Sequence, residues 1–380
     1  MRILFYAPLK PPDSPVPSGD RRMARLIEQA LRHGGHTVER AARLRSLDIA
    51  GDADRQARIA MLGGRLSARL IARLRRRPFG ERPHAFLTYH LYYKAPDWIG
   101  PSVAAALSIP YVVIEASIAE KRATGAWAGG HRAVCQAMAQ ARAAISVNPA
   151  DEDGLRPYVA AAERLHRMPP FLDAGPFAQA AHDRIAHRRA VARAFDLDPG
   201  QPWLLAVAMM RPGDKLASYR HLGAALARCR DRRWQLLVVG DGLARQDVAA
   251  ALAPVAASVR MAGLRGEAEL PALYAACDLF VWPAINEAYG MAILEAQAAG
   301  LPAVVGDAGG VGEIVSHDRT GFVLPCGDDD AFAGAVAALL DDPDRRRAMG
   351  AAARAKVARL HDLDAASAAL TRVLAAAGAS

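Results

Sequence analysis

At 380 residues the chain exceeds what one ordinary core needs and suits two domains of ordinary size. With 52% hydrophobic and 23% charged residues, both can bury interiors, which excludes a disordered or fibrous chain. The net charge of +9 comes from 48 Lys and Arg, all but five of them arginine; it favours anionic partners such as phosphates or lipid headgroups. Arginines without interleaved aromatic residues argue against nucleic acid as a partner.

The four cysteines (Cys135, Cys229, Cys277, Cys326) are scattered, without a CxxC pair or clustered histidines, so neither a disulfide framework nor a metal site is expected. Free thiols fit a reducing compartment. The opening MRILFYAPLK is too short for a signal-peptide core, and no apolar stretch approaches the ~18 residues of a membrane span. A cytoplasmic protein is expected, with at most peripheral contact at the inner membrane face.

Short β-like runs at 2–7, 36–40, 85–89, 111–114 and 144–147 alternate with helical patterns, the first over 20–32. A Pro/Gly-rich stretch at 168–177 breaks the alternation and reads as a linker. The alternation then restarts, with strands at 202–208, 234–239, 279–282, 303–305 and 321–324, and a final helix over 362–377. Strand and helix in alternation imply parallel βαβ units. The expected fold is α/β: two doubly wound Rossmann-like domains facing across a cleft, residues 1–170 and 171–357, with 358–380 a C-terminal helix that could return to the first. Ligands of open parallel sheets sit beyond the carboxyl ends of the strands.

Between Arg55 and Arg77, the residues Ile59, Leu62, Leu66, Leu70 and Leu74 recur at helical spacing among seven arginines: Arg58, Arg65, Arg69, Arg73, Arg75, Arg76 and Arg77. Two readings stand. The helix packs its leucine stripe on the first sheet, or it lies on an anionic membrane and brings the cleft to a lipid-linked acceptor.

Three segments of the second half carry chemistry. Met209-Met-Arg211-Pro-Gly-Asp-Lys215 follows a predicted strand and would aim two cations at a diphosphate, a guanidinium fork and an ammonium point charge. Val238-Val-Gly240-Asp-Gly242 runs from a strand into a turn. It lacks the third glycine of a dinucleotide fingerprint, so a glycine that lets a nucleotide approach the backbone is the better reading. In Trp282-Pro-Ala-Ile-Asn286-Glu287-Ala-Tyr289-Gly290-Met291-Ala-Ile-Leu-Glu295, a loop carries Glu287 and a helix starts near Tyr289 or Gly290. Free N–H groups at a helix start form an anion site. Glu295 falls in the second turn, so the two carboxylates sit at different depths, one suited to a sugar and the other to a ribose diol.

These segments resemble the second domain of retaining GT-B glycosyltransferases, glycosyltransferase family 4. The Glu-x7-Glu motif is Glu287 to Glu295, followed by Ala298-Ala-Gly-Leu-Pro302, Gly309-Gly-Val-Gly-Glu-Ile-Val315 and Asp318-Arg-Thr-Gly-Phe-Val323. In the first half, Pro17-Ser-Gly19-Asp-Arg-Arg22 resembles the family's N-terminal glycine loop, Gly34-Gly-His-Thr-Val38 its Gly-His-x-Val turn, and His90 its acceptor-side histidine. The arginine-to-lysine spacing is one residue shorter than is usual in the family, and Glu115 stands where many members have histidine or another polar residue.

The resemblance implies metal-independent transfer of a sugar, with retention of configuration, from a UDP- or GDP-linked nucleotide-sugar co-substrate to a glycan or lipid-linked acceptor. It implies no other cofactor. Catalytic candidates are Glu287, His90, Arg211 and Lys215. Donor-binding candidates are Gly19, Gly240, Asn286, Tyr289, Gly290, Met291 and Glu295. Polysaccharide, lipopolysaccharide or glycolipid synthesis is the expected setting. The rival readings are a nucleotide-sugar epimerase, a sugar phosphorylase, and a binding protein without activity.

Overall fold

A computed structural model of the chain describes residues 1–15, 18–147, 149–287 and 290–379. The described residues form two compact units, Met1–Pro169 with Leu363–Ser380, and Pro170–Asp362. Each holds one six-stranded, all-parallel sheet.

In the first unit the strands are β1 (Arg2–Tyr6), β2 (Thr37–Arg40), β3 (Ala85–Tyr92), β4 (Tyr111–Ser117), β5 (Ala143–Ser146) and β6 (Leu165–Arg167). They lie in the order β2-β1-β3-β4-β5-β6. The helices are α1 (Gly19–His33), α2 (Ala53–Arg75), α3 (Gly100–Leu107), α4 (Ala128–Gln140) and α5 (Pro149–Leu155). The inner strands read as unbroken apolar runs because helices cover both faces; Ile3, Leu4, Phe5, Phe86, Leu87, Val112 and Ile114 are buried.

The second unit begins with α6 (Gly175–His182) and α7 (Arg184–Phe195). Strands β7 (Trp203–Val207), β8 (Gln235–Val239), β9 (Val259–Gly263), β10 (Leu279–Trp282), β11 (Ala303–Gly306) and β12 (Gly321–Leu324) follow. Their order is β12-β11-β10-β7-β8-β9. The remaining helices are α8 (Asp214–Ala227), α9 (Arg245–Leu252), α10 (Leu270–Ala276), α11 (Met291–Ala299), α12 (Val311–Ile314), α13 (Asp329–Asp341) and α14 (Pro343–Leu360). Right-handed crossovers place α8 and α9 on one face, since they step outward from β7, and α10 and α11 on the other, since they step the opposite way. Accordingly α8 packs on α9 and α13, and α11 on α6, α10 and α14.

The last helix, α15 (Leu363–Ala379), packs on α1 of the first unit. Thr371 hydrogen-bonds His36 (2.9 Å), and a side chain on Gly34 would lie 2.7 Å from the Ser367 hydroxyl, so glycine there admits the helix. The chain passes between units at Pro169–Pro170, inside the Pro/Gly-rich stretch, and at Asp362–Leu363. The boundary expected at 357/358 falls within α14.

Two strands escaped the sequence reading, β6 and β9. Both are edge strands, and neither has the unbroken apolar run of an inner strand: β6 has no fully buried residue and β9 only Ala262. The leucine stripe of α2 is also corrected. Its packed face is Gly63, Ser67, Leu70 and Leu74, with Leu66 half-buried, whereas Leu62 is 44% exposed. Gly63 sets this face, because an added side-chain carbon would stand 2.4 Å from Trp98 Cβ.

A buried carboxylate ties β3, β4 and the start of α3 together. Asp97 Oδ2 accepts from Thr88 (2.6 Å) and Tyr111 (2.9 Å), and Oδ1 accepts from the N–H groups of Ile99 and Gly100 (2.7 Å each). Burial pushes this carboxyl above its ordinary value, against the pull of those four donors. Asp97→Ala would leave four donors unpaired, and is expected to destabilise the first unit by about 3 kcal/mol, or roughly 10 °C in melting temperature. A melting curve within 2 °C or so of wild type would contradict this role.

Candidate functional site

In the second sheet the chain leaves β7 toward β8 on one side and returns to β10 on the other, so β7 and β10 flank the switch point where open sheets bind ligands. The loops leaving these two strands carry most of the residues singled out in the sequence, and they are fastened to each other. The Lys215 ammonium, in the first turn of α8, pairs with the Glu287 carboxylate from the β10 loop. Trp282, at the end of β10, donates its indole N–H to the same carboxylate oxygen (3.2 Å). The Lys215 ammonium also sits 5.4 Å from the centre of the Trp282 ring.

Beneath this clasp, Tyr219 of α8 packs edge-on against Trp282 (5.1 Å) and donates its hydroxyl to the Ala208 carbonyl (3.0 Å). Asn286 donates to the Asp214 carboxylate (3.0 Å), and the Ile285 N–H donates to the Ser218 hydroxyl (3.0 Å). These bonds hold the β10 loop in a strained shape, with Ala284 and Asn286 both left-handed (φ 56° and 51°). Non-glycine residues in this region cost about 1–3 kcal/mol each and persist where the surroundings over-determine them. Trp282, Asp214 and Ser218 carry roles that sequence alone leaves unmarked; a tryptophan closing a strand directly before a Glu-bearing loop is the available signal.

Gly290 also has positive φ (74°) and caps α11, its carbonyl accepting from the N–H groups of Ile293 (2.8 Å) and Leu294 (3.1 Å). The helix therefore starts at Met291, and the N–H groups of Met291 and Ala292 precede any intrahelical partner. Glu295 is only 2% exposed in the next turn, well below Glu287. Tyr289 lies outside the described residues. Arg211 is exposed on the β7 loop, two residues before Gly213, which is left-handed (φ 82°) and caps α8.

Gly240 packs against a neighbouring loop. A carbon added to it would lie 1.9 Å from the Ala208 carbonyl oxygen, so the missing side chain makes room for the neighbouring backbone. The loops after β7 and β8 are stitched there, with Ala208 N–H donating to Val239 (3.0 Å) and Met210 N–H to Asp241 (2.9 Å).

In the first unit, β1 and β3 flank the corresponding switch point. His90 does not follow a strand, as expected, but lies inside β3 with φ 58°, opposite Glu115 in β4, also at 58°. The flanking pairs Tyr89–Ile114 and Leu91–Ala116 stay in register, so the two residues form a matched kink across the ladder. His90 Nδ1 lies 2.9 Å from Asp20 and 3.6 Å from Glu115. Burial would raise the Asp20 carboxyl, but His90, the helix backbone and Lys10 together hold it below the ordinary carboxylate value. Gly19 is the first residue of α1 rather than part of a loop; Ser18 caps that helix, and nothing lies within 4 Å of where a Gly19 side chain would begin.

Gly240→Ala must displace the Ala208 backbone and is expected to destabilise the second unit by about 3 kcal/mol. Gly213→Ala, also at positive φ (82°) but with open space around it, carries backbone strain alone and should cost less, about 1–2 kcal/mol. Denaturation of both variants side by side tests the distinction, and equal losses would refute it.

The family model described as Glycosyl transferases group 1 matches residues 207–356. Over 123 residues, the chain is 39% identical to a D-inositol 3-phosphate glycosyltransferase of Thermobispora bispora, covering 32% of this chain and 29% of that protein. Over 93 residues it is 45% identical to a GDP-mannose-dependent alpha-(1-6)-phosphatidylinositol monomannoside mannosyltransferase of Mycobacterium tuberculosis, covering 23% and 24%. The matched stretch spans between a quarter and about half of the length of such curated relatives. The fold is shared more widely: Anabaena HepE, solved in complex with UDP, superposes with a TM-score of 0.71 at 18% identity over 99% of this chain and 100% of that one. Residues 207–356 thus carry a glycosyl transferases group 1 domain, and the two parallel sheets share the fold of HepE.

Proposed function

We propose that the protein transfers a sugar from a nucleotide-sugar donor to an acceptor hydroxyl, with retention of configuration. The observation that carries this reading is the Lys215–Glu287–Trp282 clasp at the β7/β10 switch point, beside the amino end of α11. A diphosphate has the charge to draw Lys215 away from Glu287. Lys215, Arg211 and the amides of Gly290 and Met291 then stabilise the departing phosphate. Glu287, released from its lysine, accepts hydroxyls of the donor sugar, with Asn286 beside it. Glu295, deeper in α11, takes the ribose diol.

His90, fixed by Asp20 and Glu115, serves the acceptor side. The leaving phosphate receives the acceptor's proton, because among the described residues no second carboxylate is placed as a general acid for a hydrolase-type scheme. The transition-state charge is met by side chains and amides, so the reading requires no metal. Relatives named for GDP-mannose and a solved structure holding UDP support a nucleotide-sugar donor; lipid-linked relatives support a glycan or lipid acceptor.

Peripheral membrane contact belongs to the same reading. On α2, Arg55, Arg58, Arg65, Arg69, Arg73, Arg75 and Arg76 are exposed together with Met61 and Leu62, and Phe79 just beyond is 88% exposed. Among the described residues no helix is long and apolar enough to cross a membrane.

Incubation with UDP- and GDP-sugars tests the function. Product should require acceptor and keep the donor's anomeric configuration by proton NMR; product from nucleotide-sugar alone would favour epimerisation. Lys215→Ala should lower kcat/KM about 100- to 1,000-fold. Glu295→Ala should weaken nucleotide affinity by about tenfold or more, and Glu287→Gln should act chiefly on kcat. Wild-type turnover by all three would defeat the assignment. For α2, binding to anionic liposomes should fall steeply with salt, and salt-insensitive or absent binding would remove the membrane reading.

A further inference from the structure

Past His90, β3 ends in Tyr92 and runs into Tyr93 and Lys94, and the chain leaving β4 brings in Arg122 and Trp127. The aromatic rings form a continuous series: His90 to Tyr92 (5.6 Å), Tyr92 to Tyr93 (5.3 Å) and Tyr93 to Trp127 (6.0 Å). Two cations lie on its far end. The Lys94 ammonium is 4.9 Å from the Trp127 ring centre and 5.9 Å from that of Tyr93; the Arg122 guanidinium is 5.0 Å and 5.4 Å from the same two rings.

Among the described residues no carboxylate pairs with either cation, and Arg122 Nε is buried without a hydrogen-bond partner. The nearby carboxylates are otherwise engaged or turned to solvent. Asp48 accepts from the N–H groups of Ala50 (3.2 Å) and Asp52 (3.0 Å) and from Gln56 (2.7 Å), while Glu120 is exposed. Two like charges lie against the same pair of rings, and Arg122 Nε has no acceptor. An anion bound by these cations relieves both penalties.

We propose that Lys94 and Arg122, presented on Tyr93 and Trp127 beside His90, bind the phosphate or carboxylate of an anionic acceptor. That this ligand is an acceptor rests on the glycosyl-transfer reading; that it is an anion rests on the two cations alone. The aromatic faces hold the cations in place, two ring contacts along from His90.

Calorimetric titration of the full chain with glucose 6-phosphate, glucuronate and glucose tests this. The two anions should bind and neutral glucose should not at the same concentrations. Lys94→Gln and Arg122→Gln should each weaken anion binding by about tenfold or more, and Arg122→Lys should retain most of it. Parallel titration with UDP and GDP should give wild-type nucleotide affinity in these variants, which reports that they are folded. Vesicles with and without phosphatidylglycerol separate the sources: Arg122-dependent binding to vesicles but not to glucose 6-phosphate assigns the anion to a lipid headgroup. Sugar-phosphate binding without nucleotide binding would support the anion site and defeat the transfer reading. Glucose binding as tightly as its phosphate, or glutamine variants binding anions like wild type, would overturn the proposal.

Discussion

One ion pair connects the two strands on which the second unit's site depends. β7 and β10 are neighbours in the sheet but lie more than 70 residues apart in sequence, and the loops that leave them would otherwise be independent. Lys215 and Glu287 join those loops, and the Trp282 indole both donates to the carboxylate and lies beneath the ammonium. Both charged side chains are only partly exposed, 32% and 16%, so the pair is shielded from solvent more than a surface bridge and less than a core one. Such a pair orders the loops, and in the proposed reading it exchanges one partner for a phosphate. The left-handed Ala284 and Asn286 show what that order costs locally, and the bonds to Asp214 and Ser218 offset it.

The amino ends of β7 and β10 are closed by a different and purely structural network. Asp278 accepts from Arg184 (2.6 Å), Arg188 (2.9 Å) and the Trp203 N–H (2.7 Å), while the two arginines also cover the last carbonyls of α10. At the carboxyl ends, by contrast, no fixed partner for the first amides of α11 or for the exposed Arg211 stands among the described residues, and that asymmetry supports the proposed ligand site. In the first unit Asp97 likewise satisfies buried polar groups of β3 and β4, and the kinked pair of His90 and Glu115 lies farther along the same two strands.

Much of this was legible in the sequence. Parallel strands buried on both faces are unbroken apolar runs, so the eight inner strands announced themselves, and the Glu287–Glu295 spacing placed one carboxylate in a loop and the other within a helix. The edge strands β6 and β9 were not legible, because a half-covered strand has no such run. Nor was the kink at His90 and Glu115, since nothing about histidine or glutamate in an apolar stretch requires positive φ. The close contact at Gly240 is a meeting of two backbones from different loops, which a glycine in sequence cannot distinguish from room left for a ligand. The cations on Tyr93 and Trp127 come together from separate strand ends, a pairing that only the sheet order creates.

The central claim is that the Lys215–Glu287 pair opens to admit a diphosphate. A crystal structure of the chain with an intact nucleotide-sugar tests it most directly. The account predicts Lys215 Nζ within hydrogen-bond distance of the diphosphate, the amino end of α11 against its distal phosphate, and Glu287 turned to the sugar hydroxyls. A bound nucleotide-sugar with the Lys215–Glu287 contact intact and its diphosphate elsewhere would contradict it.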